Sequence, residues 1–497
     1  MTDYLHSFSL ADVVREQART LPTEIALVEG SARWSFADVH RHTNGWAAWL
    51  RERGVGSGDR VAWLGPSDHR LLLLMLAAAK VDAVAVPLNW RCTTEELAFT
   101  VDHAQPALLL ATAEERERAV AAATRGTNVV DVDAQPAPHP SDDDPGAGAD
   151  DELPVLGIYT AAFSGRPRLA LIPHRAIITQ SLVLAAYRLV DPNDEVYLAS
   201  GPMFHIGVLI KLFATFLFGR QTVLAPTMAA SELCALIEAN RVTSAFLFTP
   251  TIDQLVETNA QRQFDLSSLR DVPGRPSETH SEAWSEMTSW HPPESSGVVG
   301  YGQTETYAMV TFECRGPRTE ARFGRPSPVA AIRIVDAAGN EQPVGEAGEI
   351  AVRGPQVMAG YADDDAPSDW RRTGDLGVRL PDGGVDFLGP IQEIVKTGME
   401  NVYPAEVEGV LRRHSGVQDV CVIGVPDDRW GQAVRAVVEC APGATCTSDE
   451  LVEHVRAHIA SYKKPRSVIF VEALPRLNGS VDREQVRRNW GDLPTDD

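Results

Sequence analysis

The sequence has little cysteine, no excess of positive charge and no long apolar run, and each shortage excludes a class of protein. Its six cysteines include no CxxC pair, which argues against a disulfide framework or a zinc site and favours reduced thiols. The formal net charge of -23 argues against a broad nucleic-acid or anionic-membrane surface, because either needs clustered lysine and arginine. The longest apolar stretch, near residues 71–79, is too short to cross a bilayer. The first residues lack a basic segment leading into an apolar run. We therefore expect a cytoplasmic protein that binds neither nucleic acid nor a membrane.

Length and hydrophobic content predict at least two packed units. At 497 residues the chain exceeds what one core usually serves, and 44% of its residues are hydrophobic. Helix-like apolar periods alternate with β-branched runs, as in residues 71–80 followed by 81–87, which is typical of layered α/β structure. Residues 131–153 are rich in Asp, Pro, Ala and Gly, and we predict that they form a mobile surface loop.

The last third of the chain changes character. Strands punctuated by glycine, AAIRIVD and GEIAVRG, predict a β-rich subdomain within residues 323–386. Strand-like residues 420–425 and 433–439 then precede a helix with Thr447 as its cap and Glu450 three residues on. We predict an α/β protein with two domains. The large N-terminal domain, residues 1–389, has layered α/β sheets plus the β-rich subdomain, and residues 390–497 form a small C-terminal α+β domain.

Seven motifs follow one another along the chain: PLNWR from Pro87, PMFHIG from Pro202, YGQTE from Tyr301, FGRP from Phe323, GEIAVRGPQVMAGY from Gly348, TGDLG from Thr373 and ENVYPAEVE from Glu400. Together they resemble the acyl-CoA ligases of the adenylate-forming superfamily, which also includes luciferase and peptide-synthetase adenylation domains. The resemblance covers about residues 10–488. In that family a large domain binds ATP and an acid and makes an acyl-adenylate. A mobile C-terminal lid, here residues 390–497, then rotates so that the thiol of coenzyme A attacks.

The resemblance assigns nucleotide-binding roles. Asp375 is similar to the aspartate that accepts both ribose hydroxyls, because a carboxylate offers two acceptors to a vicinal diol. Tyr301, followed by Gly302, resembles the adenine-stacking aromatic residue. Thr304 and Glu305 match the residues that contact the phosphate and, if Mg2+ is used, the metal. The alternatives are a turn aspartate, a core tyrosine and a helix-capping threonine.

The acyl pocket is assigned in the same way. Met203, Phe204 and His205 resemble the segment that lines the pocket and gates it with an aromatic ring, with Gly300 as a small residue of the same pocket. Core packing is the alternative for Met203 and Phe204, since apolar residues are usually buried. We expect an apolar acyl group larger than acetate, and His205 is the candidate catalytic residue.

The phosphate loop departs from the family pattern. That loop is normally rich in Ser, Gly and Thr and carries a lysine, because glycines let backbone N–H groups approach phosphate and hydroxyls donate to it. Here the segment reads YTAAFSGRPRLALIPHR from Tyr159, with an alanine for a glycine, a phenylalanine for a threonine and an arginine for the lysine. The residues of this degenerate loop are Thr160, Ala162, Phe163, Ser164, Gly165 and Arg168.

The predicted lid departs as well. Ser480 follows Gly479 where the family has a Gly-Lys pair whose ammonium bridges the carboxylate and the α-phosphate, and residues 465–497 contain no lysine. Losing one preorganised donor to a developing charge costs on the order of 3 kcal/mol. Gln392 lies at the expected hinge, and Gly398 is kept where the pantetheine tunnel is expected to open. The lid therefore matches thioester formation better than adenylation.

The sequence thus predicts an acyl-CoA ligase-like enzyme that converts acyl-AMP and CoA to acyl-CoA and AMP, with ATP-dependent adenylation lost or very weak. The thiol step needs less help, because an acyl-adenylate is already an activated mixed anhydride. CoA is the predicted co-substrate, the AMP moiety of the acyl-adenylate is the predicted ligand, and the use of ATP and Mg2+ is left open. A separate adenylating enzyme is the predicted partner. The alternatives are a complete ATP-dependent acyl-CoA ligase and a non-catalytic acyl-adenylate- or nucleotide-binding protein, and an acyl-carrier-protein thiol stays open as the acceptor.

Overall fold

The computed structural model of the chain describes residues 9–123, 126–135, 138–146, 150–160, 167–290, 300–313, 323–364, 369–391, 394–398, 400–441, 443–477 and 480–491. Two compact units are present. Unit 1 comprises Met1–Leu88, Ala104–Tyr159 and Leu169–Gly389. Unit 2 comprises Asn89–His103, Thr160–Arg168 and Pro390–Asp497.

Helices in the described ranges begin where local chemistry favours them. Ser35 and Thr447 cap α2 and α12 in reciprocal capping boxes. The helices are α1 (Leu10–Thr20), α2 (Phe36–Glu52), α3 (His69–Ala79), α4 (Thr94–Ala104), α5 (Arg116–Ala122), α6 (His174–Ala186), α7 (Ile206–Leu217), α8 (Ala230–Asn240), α9 (Thr249–Thr258), α10 (Ser281–Met287), α11 (Pro404–Leu411), α12 (Ser448–His458) and α13 (Arg483–Trp490). Among the helices that the structure describes, none combines the length and the hydrophobicity that a bilayer crossing requires.

The strands up to residue 390 are β1 (Ile25–Glu29), β2 (Ala32–Ser35), β3 (Arg60–Leu64), β4 (Val84–Pro87), β5 (Leu108–Ala111), β6 (Asn128–Asp131), β7 (Pro154–Thr160), β8 (Arg168–Pro173), β9 (Val196–Ala199), β10 (Gln221–Leu224), β11 (Ser244–Ala245), β12 (Gly302–Gln303), β13 (Ala308–Met309), β14 (Thr311–Phe312), β15 (Arg325–Pro326), β16 (Ala331–Val335), β17 (Ala347–Arg353), β18 (Gly360–Tyr361), β19 (Arg371–Arg379) and β20 (Val385–Pro390). Those beyond it are β21 (Val395–Thr397), β22 (Glu400–Val402), β23 (Val417–Asp427), β24 (Gly431–Cys440), β25 (Ser467–Val471), β26 (Arg476–Leu477) and β27 (Ser480–Val481).

Unit 1 is built on two mainly parallel sheets and an antiparallel one. The order of the largest is β18-β8-β7-β4-β3-β5-β6, and its strands β4, β3, β5 and β6 run parallel. A second sheet, β11-β9-β10-β1-β2, is parallel except for the β1–β2 hairpin. The antiparallel sheet β16-β17-β19-β20 is the predicted β-rich subdomain. Helix α3 is buried from Leu71 to Ala79, as a layer helix in an α/β core requires.

Unit 2 contains the predicted α+β fold. Its main sheet has the order β22-β21-β24-β23, with β25 parallel to β24. The predicted strands at 420–425 and 433–439 lie within β23 and β24. Helix α12 buries Leu451 and Val455 in the same hydrophobic cluster as Val407 and Leu411 of α11. The predicted fold class, a large α/β N-terminal part and a small α+β C-terminal part, is confirmed.

The residues described between 138 and 146 lie at the surface, as predicted for this acidic segment, and several of them are held by ion pairs and hydrogen bonds, while its mobility stays a prediction. Asp144 forms ion pairs with Arg15 at 2.8 Å and with the buried Lys80 at 3.2 Å. The Asn44 amide donates to the carbonyl of Ser141 at 2.9 Å. Arg15 of α1 and Lys80, the residue that follows α3, supply the cationic partners against which part of this segment packs.

Candidate functional site

A carboxylate with two hydrogen-bond donors on one oxygen lies where β12 approaches β19. The Tyr301 hydroxyl donates to Asp375 Oδ2 at 2.7 Å, and Gln303 Nε2 donates to the same oxygen at 3.2 Å. Gln303 Nε2 also reaches the carbonyl of Thr373 at 3.1 Å. Asp375 is only 8% exposed, so these donors fix its orientation. Burial and the Asp375 charge raise the pKa of Tyr301, which therefore stays a neutral donor.

Glycines on both sides of Tyr301 allow this close packing. A Cβ on Gly300 would lie 2.2 Å from the carbonyl oxygen of Thr311, and one on Gly302 would lie 1.9 Å from that of Ala308. The Tyr301 ring is buried and stacks on Phe387 with centroids 5.5 Å apart. Tyr301 is thus a core residue whose hydroxyl serves the carboxylate, as the core-tyrosine alternative expected, and adenine stacking on it stays a prediction.

Glu305 is buried in the short 3-10 turn Thr304–Thr306. Its Oε1 accepts a hydrogen bond from the Tyr361 hydroxyl at 2.6 Å, and its carbonyl accepts from Met358 N at 2.9 Å. The Arg371 guanidinium lies 4.2 Å from the centre of the Tyr361 ring. An oriented carboxylate oxygen is the hard ligand that Mg2+ prefers, so the residue fits the predicted metal.

The predicted acyl-pocket segment lies at the start of α7. Met203 is 1% exposed and belongs to the main hydrophobic cluster, and its N–H donates to Ser67 Oγ at 2.7 Å. Phe204 is buried, with its ring centroid 4.6 Å from that of His205. His205 is half-buried and directly precedes the helix. Met203 and Phe204 are thus buried and His205 is the more exposed side chain of the segment, while their roles in an acyl pocket stay predictions.

In unit 2, Gly398 packs against an indole ring. Its φ of +63° and the Trp430 ring, 3.1 Å from where a Cβ would lie, both favour glycine. Gly398 N also donates to the Trp430 carbonyl at 2.8 Å. The guanidinium carbons of Arg429 and Arg466 lie 4.7 Å and 5.8 Å from the ring centre. The Trp430 indole N–H is buried and has no hydrogen-bond partner among the described residues.

Two family models match the chain. The model of AMP-binding enzymes matches residues 14–362, and that of the AMP-binding enzyme C-terminal domain matches residues 406–480. The chain belongs to the AMP-binding enzymes. A feruloyl-CoA synthase from an Amycolatopsis species is 33% identical over 490 residues, covering 96% of this chain and 98% of the relative.

This AMP-binding enzyme is also similar to a second ligase and to a solved structure. An indoleacetate–CoA ligase of Aromatoleum aromaticum is 28% identical over 503 residues, covering 96% of this chain and 98% of its own. The solved amide bond synthetase McbA of Marinactinospora thermotolerans superposes with a TM-score of 0.79 at 25% identity, over 97% of this chain and 100% of that one. The predicted membership of the adenylate-forming superfamily is therefore confirmed.

Parts of the predicted site of this AMP-binding enzyme fall outside the described residues. Thr160 ends β7 and Arg168 begins β8, and the Thr160 hydroxyl donates to the Arg168 carbonyl at 3.5 Å. The residues of the site that lie outside the described ranges are Ala162, Phe163, Ser164, Gly165 and Gln392. The Ser480 backbone begins β27 and pairs with Leu477.

Two residues escaped the sequence reasoning. Gln303 belongs to the YGQTE motif, but the motif alone assigns it no role. Its side-chain amide, at the third motif position, reaches Asp375 and the Thr373 carbonyl. Trp430 stands in DDRWGQ, where a large aromatic residue among polar neighbours was the available signal.

Proposed function

We propose that this AMP-binding enzyme is a complete ATP-dependent acyl-CoA ligase, which activates a carboxylic acid as its acyl-adenylate and passes the acyl group to CoA. The observation that carries the proposal is the Asp375 carboxylate, held by Tyr301 and Gln303. The family membership and the relatives, whose names describe whole synthase and ligase reactions, support the complete reaction over the half reaction predicted from the sequence.

In this proposal the residues of unit 1 bind the nucleotide. Asp375 accepts the ribose hydroxyls, and Tyr301 and Gln303 hold its carboxylate so that little reorganisation is needed on binding. Tyr301 offers its ring to adenine, and Thr304 contacts the phosphate. Glu305, oriented by the Tyr361 hydroxyl, holds Mg2+, which when bound offsets phosphate charge.

The acid and CoA are recognised by separate groups. The apolar side chains of Met203 and Phe204, with Gly300, suit an apolar acyl group, and His205 is the titratable side chain of that segment. For CoA, Gly398 is the residue at which the pantetheine tunnel of the family opens, and the Trp430 ring against it, with two nearby guanidinium groups, suits an adenine base and its phosphates. We propose residues 1–389 as the acid- and nucleotide-binding domain and residues 390–497 as the mobile lid, with Gln392 as its hinge.

A second candidate is a thioester-forming enzyme that receives acyl-AMP from a separate adenylating enzyme. It is favoured by Ser480 in place of the lid lysine, by the absence of lysine from residues 465–497 and by the altered phosphate loop. Two missing donors, if independent, would slow adenylation by more than a thousandfold.

One experiment separates the two candidates. The purified protein is incubated either with a panel of aromatic and aliphatic acids, ATP, Mg2+ and CoA, or with the matching synthetic acyl-AMPs and CoA without ATP, and acyl-CoA is measured by mass spectrometry. Product in both arms supports the complete ligase, whereas product only from acyl-AMP assigns the half reaction. If acyl-AMP binds but neither arm gives acyl-CoA, and an acyl-carrier protein is not acylated either, the result favours the non-catalytic alternative.

A further inference from the structure

Two cysteines of unit 2 bring their sulfur atoms into contact. Cys440 is the last residue of β24, and Cys446 directly precedes Thr447, the cap of α12. Their Sγ atoms are 3.6 Å apart, and both side chains are half-buried. Cys446 Sγ also lies 3.7 Å from the carbonyl oxygen of Gly416. By contrast, Cys234 and Cys421 are buried.

We propose that Cys440 and Cys446 form a reversible dithiol–disulfide site that reacts with low-molecular-weight disulfides. A disulfide bond is about 2.05 Å long, so the sulfurs must approach by about 1.5 Å, which side-chain rotation supplies most readily when the sulfurs already touch. Between the two cysteines, Gly443 has a φ of +75°, a conformation that glycine adopts without strain. Partial exposure gives a small disulfide access that the buried thiols lack.

The chemistry proceeds in two balanced exchange steps. One cysteine thiolate attacks a sulfur of the small disulfide XS–SX, forming a mixed disulfide and releasing one XS–, which takes up a proton. The second cysteine then attacks the protein sulfur of the mixed disulfide, closing the Cys440–Cys446 bond and releasing the other XS–. Two protein thiols are thus oxidised and one small disulfide is reduced to two thiols. Burial, and then the hydrogen bond with Cys440, raises the pKa of Cys446 to about 11, so the exchange is best followed at mildly alkaline pH.

Closure would join the end of β24 to the start of α12. Thr447, the residue after Cys446, accepts from Glu450 N and makes the capping box of that helix. Because α12 buries Leu451 and Val455 in the core of unit 2, a bond at Cys446, just before the cap of α12, restrains the segment that leads into this core. Reduction by a monothiol reverses the restraint.

The sequence makes the test simple. Trypsin cleavage after Arg435 and Arg456 leaves both cysteines, and no other, in the peptide of residues 436–456. The folded protein is treated with oxidised glutathione, quenched in acid, denatured, alkylated and digested. We expect this peptide to escape alkylation and to be lighter by two hydrogens, and dithiothreitol to restore two alkylated cysteines.

Single variants show whether the two sulfurs act as a pair. In Cys440→Ser and Cys446→Ser the remaining cysteine should retain glutathione, because no second thiol resolves the mixed disulfide, whereas the control Cys234→Ala should behave as wild type. A trivalent phenylarsenical, which bridges adjacent thiols without oxidation, should bind wild type and neither single variant. Three results on the wild-type peptide of residues 436–456 would each overturn the proposal. They are two alkyl groups after excess oxidant, a stable glutathione adduct, and a disulfide that joins this peptide to another chain.

Discussion

Replacing Asp375 by alanine tests the nucleotide site most directly. The variant removes the carboxylate that Tyr301 and Gln303 orient, so the ribose hydroxyls lose their proposed acceptor. We expect the affinity for AMP to fall, and the preference for AMP over 2′,3′-dideoxy-AMP, which lacks the same hydroxyls, to disappear.

The size of the effect follows from the charge of the acceptor. A hydrogen bond to a charged group contributes about 1.5–3 kcal/mol, which corresponds to roughly a ten- to a hundredfold change in affinity. Wild type should therefore prefer AMP over the dideoxy compound by about that factor. Asp375→Asn keeps one carbonyl acceptor and should fall between wild type and Asp375→Ala.

Calorimetric titration of both nucleotides gives the two affinities for each protein. Because Asp375→Ala also leaves the buried Tyr301 hydroxyl without its acceptor, unfolding curves must first show that the variant is folded at the assay temperature. Tyr301→Phe is the matched control, since it removes one of the donors but keeps the carboxylate and should keep the ribose preference. An unchanged preference for AMP in Asp375→Ala would refute the assignment of Asp375 to the ribose.

Three further substitutions test Gln303 beside Asp375, Ser480 in the proposed lid, and the half-buried His40. Gln303→Leu removes one donor to Asp375 Oδ2 and should weaken AMP binding about two- to tenfold by titration, less than Asp375→Ala, because Tyr301 still donates; equal affinity would leave Gln303 with a packing role alone. Ser480→Lys should change pyrophosphate release only slightly, because the proposed ligase completes adenylation without a lysine at this position, and a gain of a hundredfold or more would favour the second candidate, in which the lid lysine is missing. Burial and the neighbouring Lys80 lower the pKa of His40 to about 4. Between pH 6.5 and 4 the unfolded chain therefore binds more protons than the folded chain, and the free energy of unfolding falls as pH falls through this window. Between pH 7 and 5, His40→Gln should reduce the loss of unfolding free energy by on the order of 1 kcal/mol, measured by urea unfolding. The same dependence of unfolding free energy on pH in wild type and variant would contradict the linkage.

Local sequence patterns were enough for the family, the fold class and several elements. The ordered motifs from Pro87 to Glu400 identified the superfamily, because each places particular residue types at fixed spacing. The Thr447 capping box was readable because a helix cap depends on residues three positions apart. The strands β23 and β24 were readable for a similar reason, since alternation and β-branched residues act within a few positions.

Contacts between distant segments were decided by the tertiary structure. Gln303 meets Asp375 across 72 positions, and Arg15 meets Asp144 across 129, so neither pair leaves a periodic signal in the sequence. The composition of the acidic segment does not show that Asp144 meets Arg15 of α1 and Lys80, the residue that follows α3. Even Cys440 and Cys446, six residues apart, meet because β24 ends where α12 begins. The physical reason is common to all of them: composition and spacing determine which local structures form, whereas which side chains touch depends on how sheets and helices pack.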